Sequence, residues 1–144
     1  MLQISGDVVH FLLPNNTEYH SLTIGVWLCE GICSVADPSL AVPVLKSQLE
    51  DTKAKFILCY EKSRHNVFQV LKETEMLGKV KVFVLEKTMP EENEDKPIAE
   101  EGFQFIKDFK ENAEKMPQPP MLQDGLPKDD DTYVIFWSSG NFKV

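Results

Sequence analysis

Short apolar runs alternate with longer helix-patterned runs along most of the chain, and this alternation restricts the fold more than any other feature of the sequence. Val8 to Leu13 is apolar, β-branched and stopped by Pro14, the pattern of a buried strand. Asn15, Asn16 and Thr17 then offer capping oxygens to a helix that runs to about Glu30, with Tyr19, Leu22 and Val26 at helical spacing. Ile32 to Ala36 reads as the next strand, closed by Asp37-Pro38, because proline holds its predecessor in extended geometry. Strand, helix and strand joined by short connections imply a parallel sheet with helices packed on it.

The same alternation continues. Gly31 is placed to stop the first helix and Ser39 to cap the second, in which Val44, Leu45, Gln48 and Leu49 share a stripe while Lys46, Glu50 and Asp51 face water. Lys55 to Tyr60 is a third strand. A helix starting at Ser63 or Asn66 follows, with Val67, Phe68, Val70, Leu71 and Leu77 inward and Gly78 as its stop. Lys79 to Leu85 alternates valines with Lys79, Lys81 and Phe83, which suggests an edge or half-exposed strand. Residues 87–101 are acidic and proline-interrupted, a surface loop. Gly102 to Met116 places Phe103, Ile106 and Phe109 at helical spacing, and residues 116–131 form a Pro/Asp-rich linker in which Pro117, Pro119 and Pro120 forbid a helix. Tyr133 to Trp137 then reads as a buried strand. The expected class is α/β, a parallel sheet of about five strands with helices on both faces.

Composition narrows the function. A chain of 144 residues with 42% hydrophobic content can bury one core. A net charge of −8 opposes nucleic-acid binding, which needs a Lys/Arg-rich face. No apolar run reaches the roughly 18 to 20 residues of a membrane span, and the start has no secretory pattern, so a cytoplasmic location is expected. Cys29, Cys33 and Cys59 are an odd set and read as small buried hydrophobes. Together with His10, His20 or His65 they would nominally make a four-ligand zinc site, but only Cys29 and Cys33 are close in sequence. The acids at 91–95 lack the Asp-ladder spacing of a calcium loop.

The chemistry-bearing feature is the last strand, which runs straight into Ser138-Ser139-Gly140. Two hydroxyls and free backbone N–H groups at a sheet's carboxyl edge suit phosphate oxygens. Other nucleotide and phosphoacceptor signatures are missing. There is no Gly-x-x-x-x-Gly-Lys-Ser/Thr, no Gly-x-Gly-x-x-Gly after the first strand, no Gly-x-Ser-x-Gly elbow, and no acidic pair after the first strand as in a receiver module.

In order and spacing, Gly6 to Gly140 resembles the adenylate-forming superfamily of acyl-CoA synthetases, 4-coumarate–CoA-ligase-like and luciferase-like enzymes. The resemblance rests on GDVVHFLLPNNTEY from Gly6, IGVWLCEGICSVADPSL from Ile24, VLKSQLEDTKAKFILC from Val44, and the Ser-Ser-Gly opening of that family's phosphate loop. Where the family continues Thr-Thr-Gly-x-Pro-Lys-Gly, this sequence has Asn141-Phe142-Lys143-Val144, and Lys143 does not replace the loop lysine.

The resemblance implies residues 1–144 as one partial AMP-binding, N-terminal domain, cut within the phosphate loop. It implies a parent ligase that uses ATP and Mg to activate a carboxylic acid as an acyl-adenylate and then transfers it to coenzyme A. Ser138, Ser139 and Gly140 are the implied phosphate contacts. No catalytic residue or metal ligand is carried over, and this chain is expected to bind the cofactors poorly and to be inactive alone. A peroxisomal location is open for a full-length parent. The alternative is a non-catalytic interaction module or truncated isoform, which would self-associate through the apolar edge bearing Phe136, Trp137 and Phe142.

Overall fold

Six parallel strands form one sheet in the order β5-β4-β3-β1-β2-β6. The structure, a computed structural model, describes residues 6–86, 102–108 and 130–137. The elements are β1 (Val8–Leu12), α1 (Thr17–Leu28), β2 (Ile32–Val35), α2 (Val42–Thr52), β3 (Phe56–Tyr60), α3 (Arg64–Glu73), β4 (Lys81–Leu85), β5 (Phe103–Phe105) and β6 (Val134–Phe136). Both faces of the sheet are covered. Val9, Phe11 and Leu13 of the first strand segment pack with Cys33, Leu58 and Val26 of α1. Leu12, Ile57, Cys59, Val82 and Val84 pack on the opposite face with Leu45 and Leu49 of α2 and Val67, Val70 and Leu71 of α3. Successive strand residues point to opposite faces, so a strand covered on both sides must be apolar at nearly every position, as β1 and β3 are.

Local chemistry sets the helix ends. Asn16 Oδ1 accepts the Tyr19 N–H at 2.9 Å and caps α1. Its other end closes by paired bonds, Glu30 N–H to the Trp27 carbonyl and Gly31 N–H to the Val26 carbonyl, both 2.9 Å. The left-handed residue of this turn is Glu30 (φ 59), not Gly31. The stop of α3 repeats the arrangement, with Glu75 (φ 55) in the left-handed position and Met76 N–H bonded to the Leu71 carbonyl, well before Gly78. Ser39 does not cap α2, whose cap is Ala41 with Pro43 in its first turn. The Ser39 N–H and hydroxyl instead donate to Asp37 Oδ1 and close the turn after β2.

Three larger expectations are corrected. The sheet has six strands, because Phe103–Phe105 pairs with β4 as β5 where a helix was expected from Gly102. Phe103 and Phe105 are buried and Gln104 exposed, a period of two, and helix begins only at Ile106; residues 109–116 lie outside the described residues. β4 is therefore no edge strand: it pairs with β3 on one side and β5 on the other, and only Lys81 is exposed. β6 is not buried. It is an edge strand whose Phe136 is 77% exposed. The acidic loop at 87–101 lies outside the described residues, as does the linker up to residue 129. Among the described residues no helix is long and apolar enough to cross a membrane.

Candidate functional site

The helix after β1 packs on one face of the sheet and the helix after β2 on the other, so the loops leaving these adjacent strands part and open a crevice at their carboxyl ends. A cleft of about 620 Å³ lies there. Leu13, Pro14 and Asn15 line it from the end of β1, Val35 to Pro38 from the end of β2, and Phe136 and Trp137 from the end of β6, with Gln48 of α2 at its wall. Ser138, Ser139 and Gly140 follow Trp137 directly in sequence, but all three lie outside the described residues.

Most of the lining is apolar, and its polar groups are few. Asp37 holds its carboxylate through the Ser39 hydroxyl and backbone N–H, which lowers its pKa below the ordinary aspartate value. Gln48 is buried, and its Oε1 has no partner among the described residues. The Trp137 indole N–H donates to Ser34 Oγ at 3.0 Å, and Ser34 Oγ is 3.0 Å from His10 Nδ1. Burial pushes the His10 imidazole down to about 4, so it is neutral at physiological pH. Burial also raises the Cys33 thiol to about 11, which leaves it protonated and unreactive.

The sequence drew attention to the loop after β6; it offered His10 only as a nominal zinc ligand and Gln48 only as part of a helix stripe, and it missed Ser34. A histidine and a serine in otherwise apolar strands were the available signal, and only the strand register, which sets His10 opposite Ser34, makes them a pair. A zinc site built on Cys33 and Cys59 fails on geometry, since the two thiols pack on opposite faces of the sheet.

Residues 3–141 match the family described as AMP-binding enzyme. The chain belongs to that family. No curated protein matches it in sequence. Among solved structures, a Brucella canis acyl-CoA synthetase superposes with a TM-score of 0.66 at 20% identity over 95% of this chain. A Mycobacterium tuberculosis fatty acyl CoA synthetase does so with 0.65 at 18% identity, also over 95%. Identities this low establish a shared fold. The chain spans 22% and 23% of those two structures, less than a quarter of either.

Family membership implies ATP and Mg in the parent enzymes, and the described cleft can be tested for them. No lysine or arginine lines it, and its charged group is the Asp37 carboxylate, of the same sign as a phosphate. Among the described residues no group of three His, Cys, Asp or Glu side chains could hold a metal ion. The described residues therefore do not fit a magnesium triphosphate by themselves. They provide an apolar wall that includes Phe136 and Trp137 at the end of β6.

Proposed function

We propose that this chain supplies the opening strands of the N-terminal domain of an ATP-dependent acyl-CoA synthetase or ligase. The observation that carries the reading is the crevice at the carboxyl ends of β1, β2 and β6, with β6 leading directly toward Ser138, Ser139 and Gly140 in a member of the AMP-binding family. In this reading the parent enzyme activates a carboxylic acid as an acyl-adenylate, releasing pyrophosphate, and passes the acyl group to coenzyme A. Ser138, Ser139 and Gly140 contact the phosphates there, and cationic groups from elsewhere in the parent neutralise them. The 144 residues alone bind ATP and Mg poorly and turn over no acid. The protein works in the cytoplasm.

The intact mass of the endogenous polypeptide, together with acid-dependent pyrophosphate release, tests this. A polypeptide several times larger than 16.4 kDa that releases pyrophosphate with fatty or aromatic acids fits the reading. A polypeptide of that larger size with no release for any such acid overturns it. A species of 16.4 kDa favours a non-catalytic interaction module, for which the exposed Phe136 on the open β6 edge is the supporting observation.

A further inference from the structure

We infer that Ser34 and His10 are positioning residues that lock the indole of Trp137 into the wall of the cleft. Indole has one polar hydrogen, and here it is given to Ser34 Oγ at 3.0 Å. The same Oγ keeps its own hydrogen and a second lone pair, and it lies 3.0 Å from His10 Nδ1, to which it can donate or from which it can accept. A continuous hydrogen-bonded chain therefore links Trp137 to Ser34 to His10. Strand register builds the chain: His10 pairs with Ser34 across β1 and β2, and Ser34 pairs with Ile135 of β6, two residues before Trp137.

Sheet stability does not account for these residues. Both His10 and Ser34 are 0% exposed, and His10 Nε2 has no partner among the described residues. A valine or isoleucine at either position would fill a parallel strand without burying a polar group that lacks its full set of bonds. What the polar pair adds is direction. An apolar pocket would hold the indole by shape alone, whereas a bond to its single donor adds a directional restraint on the ring. Trp137 lines the cleft, so its orientation sets the shape of the cleft wall. That use in catalysis rests on the ligase reading; the locking itself does not.

Trp27→Phe leaves Trp137 as the sole tryptophan. In this variant the indole N–H exchange rate, read by NMR without nucleotide or acid, is expected to be at least about tenfold slower than in free indole. Exchange as fast as in free indole overturns the inference. Adding Ser34→Val or Ser34→Thr compares two side chains of nearly one shape that differ in the hydroxyl. Acrylamide quenching of Trp137 is expected to rise about twofold with valine and to stay at the parental level with threonine. Equal quenching in the two folded variants overturns the inference, and if the valine variant does not fold, the exchange rate decides. Failure of the ligase reading would alter neither measurement.

Discussion

Acidification should destabilise this protein through His10 in a pH window set by its burial. The imidazole has a pKa of about 4 in the folded chain against an ordinary value of 6.5, with desolvation as the cause. Between these values the unfolded chain holds a proton on His10 that the folded chain does not, so stability is complete above about pH 6.5, falls as pH drops, and levels off below about pH 4. At about 1.4 kcal/mol per pH unit, that gap is worth about 3 kcal/mol across the window. The contribution is isolated by comparison with His10→Asn, whose amide can hydrogen-bond the Ser34 hydroxyl but takes up no proton. Urea unfolding at half-unit steps from pH 7.5 to 4, followed by circular dichroism, gives the two curves. The wild-type curve should fall more steeply by about 1 kcal/mol per pH unit between pH 6 and 4.5. Parallel curves would refute the buried, neutral assignment of His10.

Three further outcomes follow from the fold. Leu49→Ala removes a fully buried side chain of α2 from the core and should cost about 2 to 5 kcal/mol in urea unfolding, where a loss under about 1 would contradict the packing. Glu75→Gly relieves a left-handed residue at the end of α3 and should raise stability by up to about 1 kcal/mol, read as a higher denaturation midpoint; a lower midpoint would argue against that backbone geometry. Phe136→Ser removes from the β6 edge the most exposed large apolar side chain among the described residues and should shift sedimentation toward monomer at high concentration with little change in stability, whereas an unchanged concentration dependence would discount that edge as a contact surface.

Elements whose signals were local could be read directly. Pro14 and Asn16 bound the first strand and cap the first helix within a few residues of one another, and the structure keeps both assignments. Leu45, Gln48 and Leu49 likewise face the core as their spacing requires, whereas Val44, expected on the same stripe, is 46% exposed. Elements that depended on distant partners could not be read this way. Phe103, Ile106 and Phe109 satisfy a helical period, yet Phe103 and Phe105 satisfy a period of two equally well, and pairing with β4 selects the strand. The same pairing converts β4 from an apparent edge into an interior strand. Gly31 and Gly78 looked like helix stops because glycine accepts left-handed backbone most cheaply, but the left-handed residues that close the turns after α1 and α3 are Glu30 and Glu75.

The candidate site divides in the same way. The Ser-Ser-Gly after an apolar strand and the ordered series of strand and helix segments are properties of sequence, and they carry the family and the α/β class. Which strands stand beside one another is not a local property. β1, β2 and β6 meet because side-chain burial on two faces decides strand order, bringing Trp137 within hydrogen-bonding distance of Ser34, 103 residues away, and Ser34 within reach of His10. Periodicity and turn chemistry act over a few residues and leave their mark in the sequence. The cleft and its buried polar chain depend on strand register between segments far apart, and only the folded sheet sets that register.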